Sequence, residues 1–363
     1  MINEFGIYLN PNSLTRKPMN RSRFVDTNLS QLMDQETAQI LFDKGAFLLF
    51  LDAPEGLEFG IDYNSWQIGP RFKGVKLIPP GLHFVYYSTS DKSGTSGLRK
   101  DIKKNDETDP EQNERLKSDM RQFDSFLGVY PLTPPTDWKK WVNLTNYITP
   151  SLISRILPNE GRMNNVSSST VDEDELLNIK GSSKFYEDII LFAKFDLKKS
   201  WRPGAIGQEI TKYSQDKNHK ELLGELQLSF VCLLIGQNFA GFTQWKNLVQ
   251  LICMCKEAIN TYAMTLFLEF IDVLNFQLEE CPIDFFRDVI SEDNFLSHVL
   301  KILDKTILDL STQPSSTHLK SLRRRFNKFR GFLDQRFRLE LPNEYEEAEE
   351  GEYAPVVVEL PEE

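Results

Sequence analysis

The chain has 363 residues, 40% of them hydrophobic and 12% aromatic, which is enough apolar material for two ordinary domains and excludes wholesale disorder. Of the net charge of −11, residues 339–363 hold −10, as ten glutamates with no Lys or Arg, so the rest of the chain is close to neutral and does not have the charge of a general nucleic-acid binder. No apolar run approaches the roughly 18 residues of a membrane span, and the amino-terminal stretch lacks a signal-peptide core. These features predict a cytosolic or nuclear protein.

Residues 1–32 show no convincing periodic element and read as a disordered or non-native leader, with Met33 a candidate start. Asp34 can cap a short helix through Phe42, which Gly45 can end. Ala46 to Leu51 reads as a buried strand, Phe59 to Ile68 and Gly74 to Ile78 as further strands, and His83 to Tyr87 as an aromatic-rich one after the turn Pro79-Pro-Gly81. Leu116, Met120, Phe123 and Leu127 share one helical face, and Gly128 is the expected helix end. After the prolines 131, 134 and 135, Trp138, Trp141, Val142 and Leu144 follow at helical spacing, and Ile148 closes the run. Residues 33–157 thus predict a β-rich domain with accessory helices, and the polar stretch 158–185 a flexible linker.

Residues 186–338 read as a helical domain. Leu222 to Ile235 is apolar almost all round, as a central helix is. Phe239 to Cys255, Glu257 to Leu278, Asp284 to Ile290 and Phe295 to Leu310 continue the pattern, with short breaks between them, and no repeat of fixed period is visible. A last helix, Thr317 to Phe337, places Leu319, Leu322, Phe326, Phe329, Leu333 and Phe337 on one stripe. The fold class is therefore α+β, closed by an acidic tail, 339–363.

Signals for catalysis are sparse. The four histidines (His83, His219, His298, His318) form no metal-binding pair, and phosphate-loop, dinucleotide and nucleophile-elbow motifs are missing, so no metal or cofactor is expected. Cys232, Cys253, Cys255 and Cys281 sit in apolar helical sequence and read as buried thiols; Glu279 and Glu280 beside Cys281 discourage thiolate chemistry. Asp62, Tyr63, Asn64 and Trp66 form a polar-aromatic cluster that reads either as a ligand pocket or as a turn. In the turn reading Asp62 and Asn64 bond the backbone and Trp66 packs on the sheet. His83 reads as a strand histidine rather than a base.

Two features of the carboxyl-terminal region point to partners. Residues 320–338 carry eight Lys/Arg against one Asp, and the run Arg323 to Arg330 suits either RNA or an amphipathic helix with a solvated basic face. In the tail, Pro355-Val-Val-Val-Glu-Leu-Pro361 alternates Val356, Val358 and Leu360 against Val357 and Glu359. A β-branched run on an acidic leash suits strand addition to a partner's sheet edge, or docking on the chain's own amino-terminal sheet. The basic helix is also expected to hold the acidic tail in the free protein.

Several segments together resemble the A1-alpha2-repression splicing-factor family. They are Leu57-Glu-Phe-Gly-Ile-Asp-Tyr-Asn-Ser-Trp66, Gly69-Pro-Arg-Phe-Lys-Gly-Val-Lys76, Ile78-Pro-Pro-Gly-Leu-His-Phe84, Phe126-Leu-Gly-Val-Tyr-Pro131, Trp138-Lys-Lys-Trp-Val-Asn-Leu-Thr-Asn146, Gly224-Glu-Leu-Gln-Leu-Ser-Phe-Val-Cys232 and the ending Ala354 to Pro361. The resemblance implies a helical domain of VHS-like type and a non-catalytic, chaperone-like role in assembling the U5 small nuclear ribonucleoprotein. The implied partner is its large central scaffold protein, through RNase H-like and MPN-like domains, with Val356, Val357, Val358, Glu359 and Leu360 as the intermolecular strand. It implies no direct nucleic acid, no membrane, a monomer when free and a location both cytoplasmic and nuclear. The sequence departs from the family in its polar stretch 92–113, where a further strand-rich segment is expected, and in a shortened segment at 214–221.

Overall fold

The computed structural model describes residues 3–9, 35–50, 53–88, 122–132, 135–157, 162–164, 190–194, 219–236, 238–283, 295–311, 317–339 and 341. The chain divides into two compact units, 1–193 with 227–244, and 194–226 with 245–363. The expected single cut at a linker over 158–185 is thus replaced by an interleaved division, with 227–244 contributed to the β-containing unit.

In the first unit, β1 (Asn3–Leu9) is followed by α1 (Gln35–Lys44), β2 (Ala46–Leu49), β3 (Glu58–Ile61), β4 (Asn64–Gln67), β5 (Gly74–Ile78) and β6 (Leu82–Ser88). Then come β7 (Leu127–Val129), α2 (Pro135–Thr145), α3 (Pro150–Ile156) and β8 (Arg162–Asn164). One sheet has the order β4-β3-β6-β1-β8 and a second the order β2-β5-β7. The leader reading is corrected at its start: Asn3–Leu9 pairs antiparallel with β6 and with β8. β8 in turn lies inside the stretch read as linker.

The predicted strand Phe59 to Ile68 is a hairpin instead. Asp62 takes φ 54, a left-handed conformation that Asp tolerates better than most residues, and the chain turns back there between β3 and β4. The predicted helix end at Leu127 and Gly128 is also a strand, β7, parallel to β5, with Leu127 buried. Between β2 and β5 the register slips by one residue, and Leu77 in β5 takes φ 62 there. Gly74 cannot be replaced at this crossing: its φ is +141, and a Cβ would lie 1.9 Å from the Leu48 carbonyl oxygen.

β6 is covered on both faces, which is why His83 to Tyr87 shows no polar alternation. Leu82 and Phe84 join Trp141, Leu152, Ile156, Leu228 and Val231 in one core, while Val85 and Tyr87 join Phe59, Ile61, Val75 and Ile78 in another. α2 starts with Pro135 in its first turn, where a missing N–H costs nothing. It is held by the Trp141 indole, which donates to the Leu82 carbonyl at 2.7 Å. Thr149 caps α3 by accepting from the Leu152 N–H.

The helical region consists of α4 (His219–Leu234), α5 (Phe239–Met254), α6 (Lys256–Tyr262), α7 (Leu268–Glu280), α8 (Phe295–Ser311) and α9 (Thr317–Phe337). α4 and α5 are divided between the units at 226/227 and 244/245. The single helix expected over Glu257 to Leu278 is interrupted by a five-residue π turn, Ala263–Phe267. α9 has the predicted limits, and all six residues of its predicted stripe are buried. Leu341 is buried too, so the folded unit runs past the expected tail boundary at 339. The helix expected over Asp284 to Ile290, the polar stretch 92–113 and the tail beyond 341 lie outside the described residues. No helix among the described residues is long and apolar enough to cross a membrane.

Candidate functional site

The polar cluster singled out around Asp62 assembles in the first unit, but with partners that sequence spacing did not reveal. The β3–β4 turn carries Asp62 to the middle of β6. Its backbone N–H donates to the Phe84 carbonyl at 2.8 Å, and its Oδ1 accepts from the Phe84 N–H at 2.8 Å. Oδ2 accepts from the Tyr130 hydroxyl at 2.6 Å and shares a 2.8 Å hydrogen bond with His83 Nδ1. His83 Nε2 lies 2.8 Å from the Pro79 carbonyl oxygen, which only accepts, so Nε2 carries a hydrogen. The imidazole stacks on Trp138 and meets Tyr130 edge to face.

Every polar contact of this cluster is internal. His83 is 0% and Asp62 2% exposed, and Tyr130 is buried. Burial, then the Asp62 charge, then the hydrogen bond to Asp62 push the Tyr130 phenol far above its ordinary range, so it stays a donor. The ring nitrogens and carboxylate oxygens all face protein partners, so the cluster locks a turn to a strand and to the chain after β7. Trp66 is not part of it: it sits on the edge strand β4, 40% exposed, opposite Phe59. The turn reading of Asp62 therefore holds for its bond to the backbone, not for Trp66 as a packed residue, and the ligand-pocket reading finds no open polar group at Asp62 or His83.

The other candidates are equally committed. All four cysteines are buried and free of disulfides. Burial pushes Cys232 and Cys281 up to about 12, against a modest opposing pull on Cys281 from Arg336, and raises Cys253 further. His219 pairs with Glu269 at 3.2 Å. No group of three or more metal-ligating residues forms among the described residues.

On α9 the basic run splits into two sets. Arg323 and Arg330, two turns apart, each bind one carboxylate oxygen of Asp304 on α8. Arg325 pairs with Asp272 on α7 at 2.7 Å, and Arg336 donates to the carbonyls of Glu279 and Cys281 at the end of α7. These four arginines fasten α9 to its neighbours. Lys320, Arg324 and Lys328 are exposed. Sequence reasoning could see eight cations but not this partition, because Asp272 lies 53 residues from Arg325, and Asp304 lies 19 and 26 residues from Arg323 and Arg330. Val356 to Leu360 lie outside the described residues, so the structure does not place the expected strand.

The described residues thus form an α+β protein in which the Asp62–His83–Tyr130 cluster is closed by internal bonds and α9 presents an exposed basic face. Comparison with known proteins identifies the family. Residues 44–104 and 99–158 match the AAR2 N-terminal domain, in two segments that overlap within the polar stretch 92–113, and residues 192–342 match the AAR2 C-terminal repeat region. The human protein named "Protein AAR2 homolog" is 32% identical over 391 aligned positions, covering 91% of this chain and 97% of the human one. The Caenorhabditis elegans protein of the same name is 31% identical over 84% of this chain and 96% of its own length. "A1 cistron-splicing factor AAR2" of Saccharomyces cerevisiae is 26% identical over 56% of this chain and 69% of its own. The chain belongs to the AAR2 family.

Proposed function

We propose that this chain is a splicing factor that acts by binding rather than by catalysis: a chaperone-like assembly factor of the U5 small nuclear ribonucleoprotein. It binds the large central scaffold protein of that particle through the scaffold's RNase H-like and MPN-like domains and holds off other partners until maturation. Val356 to Leu360 supply the intermolecular strand, and the helical region is of VHS-like type. The chain works as a monomer, in the cytoplasm and the nucleus, without cofactor or metal. The observation that carries this reading is membership of the AAR2 family, with similarity to the human relative over 91% of the chain, together with the splicing role in the yeast relative's name.

A general base, a nucleophile or a metal site needs groups open to a substrate, whereas Asp62, His83 and the thiols are enclosed by their own structure. Tagged full-length protein, purified from cells and analysed for co-eluting proteins, is expected to bring down the scaffold. Deleting Glu352 to Glu363, or substituting Val357→Pro, removes ladder hydrogen bonds and should weaken that capture while the melting temperature stays unchanged. Capture undiminished in both variants would sink the strand-addition reading.

The alternative, a regulatory RNA-binding protein using Arg323 to Arg330, loses ground because Arg323, Arg325 and Arg330 already hold Asp304 and Asp272. RNA affinity that falls steeply with salt and is lost on reversing Lys320, Arg324 and Lys328 would favour it.

A further inference from the structure

We propose that the exposed cationic stripe of α9, formed by Lys320, Arg324 and Lys328, is the docking surface for the chain's own acidic segment Glu344 to Glu352. The inference stands apart from the identity of any partner and concerns the free protein.

Positions 320, 324 and 328 are four apart, so they share one face of the helix. That face is opposite the apolar stripe of Leu322, Phe326, Phe329 and Leu333, given about 100° per residue. The arginines that fasten α9 flank the apolar stripe: Arg323 and Arg330 on one side, Arg325 and Arg336 on the other. The stripe is therefore the outward side of the helix, and no carboxylate among the described residues pairs with it. Three cations in a row, with their counter-charges missing from the folded unit, call for an extended anionic occupant.

The end of α9 turns the chain back along the helix rather than away from it. Arg338 takes φ 57, its N–H donates to the Asp334 carbonyl, and the Leu339 N–H points to the Leu333 carbonyl, a left-handed cap that turns the chain back on the helix. Leu341 is buried directly after the cap. Measured back from Arg338 at about 1.5 Å per residue, Lys328, Arg324 and Lys320 lie at about 15, 21 and 27 Å. An extended chain leaving Leu341 at about 3.3 Å per residue reaches those levels near residues 346, 347 and 349. The sequence there is Glu346-Glu347-Ala348-Glu349-Glu350. The repeat of an extended chain, about 6.6 Å for two residues, also matches the about 6 Å between helix positions four apart.

Each surface ion pair is weak on its own. Tethering changes the balance, because a short leash gives the acidic segment an effective concentration on the order of millimolar. The contact is therefore present at low ionic strength and screened as the Debye length falls to about 3 Å at about 1 M salt. It would also place Val356 to Leu360 beyond the amino-terminal end of the stripe, so docking and partner capture compete for one leash.

The test uses the full-length chain and chymotrypsin, which cuts after Tyr345 and Tyr353, residues that sit at the two ends of the acidic segment. At low salt the tail of the wild type should be cut several-fold more slowly than that of the triple variant K320E/R324E/K328E. At about 1 M salt the two rates should converge. Thermal melting serves as the control, since the three side chains are exposed and their reversal should leave it unchanged. Equal cleavage of the two proteins at low salt overturns the proposal. So does a polyuridine RNA that binds the wild-type chain through these three residues without changing the tail's cleavage, which would assign the stripe to an external polyanion.

Discussion

Replacing Asp62 with alanine isolates what the buried cluster contributes. The substitution removes one carboxylate that serves three groups: the Tyr130 hydroxyl at 2.6 Å, His83 Nδ1 at 2.8 Å and the Phe84 N–H at 2.8 Å. All three are enclosed, with His83 and Phe84 both 0% exposed, so none recovers water by a small shift. Stranding a buried polar group costs about 1–3 kcal/mol, and an alanine at φ 54 adds about 1 kcal/mol of strain. Allowing for partial relaxation, the expected loss is about 3–6 kcal/mol. For a folded unit of this size that corresponds to a fall in melting temperature on the order of 10 °C. Asp62→Asn keeps one acceptor oxygen and a side chain suited to the left-handed turn, so it should lose about half as much. Tyr130→Phe deletes a donor rather than stranding one and should cost about 1 kcal/mol. In the Asp62→Ala/Tyr130→Phe double variant the losses should be less than additive, because one stranded donor is gone. Melting and urea titration of the four proteins decide the matter. An Asp62→Ala protein that melts within about 1 °C of the wild type would refute the reasoning.

The remaining predictions concern the helical region. Phe326→Ala should destabilise by about 3–5 kcal/mol in urea titration, since the ring is 0% exposed at the centre of the α9 stripe. Asp304→Ala strands Arg323 and Arg330 together and should cost about 2 kcal/mol, reduced from a fully buried pair because both arginines keep some exposure. The thiols set an alkaline limit. Burial holds Cys232 and Cys281 up at about 12 against an ordinary value near 9, so their contribution is complete below about pH 9 and is lost as pH rises towards 12. The urea midpoint should therefore fall between pH 9 and 10.5, and the same burial should keep thiol reagents from reacting until the protein unfolds.

How much of this was legible in the sequence depended on the range of the interaction. The stripe of α9 was readable because helix periodicity is local: the 3-4 spacing from Leu319 to Phe337 needs no knowledge of the partner. The strand at His83 was readable because its residues are β-formers enclosed by turns. The break at Asp62 was not, since the pattern from Phe59 to Ile68 continues through it and only the bond to Phe84, 22 residues on, fixes the turn. Likewise Leu127 fits a helical face, but its parallel pairing with β5 outweighs that propensity. β1 interrupts its apolar residues with Gly6 and acquires its register from β6 and β8. The repeat character implied by the family name of residues 192–342 had no readable period, as the helices range from 7 to 21 residues. At the candidate sites, composition identified the right residues but not their partners. Tyr130 lies 68 residues from Asp62, and the division of the basic helix into fastening arginines and a free stripe follows from acids on other helices.

The central claim is that this chain works by holding a partner with its carboxyl-terminal strand. The most direct measurement is the dissociation constant of purified scaffold protein for the full-length chain and for the chain lacking Glu352 to Glu363, read by titration calorimetry at one salt concentration. The account predicts tight binding that weakens at least tenfold on deletion, about 1.4 kcal/mol, with an unchanged melting temperature. Equal affinity of the two chains, or no binding by either, would contradict it.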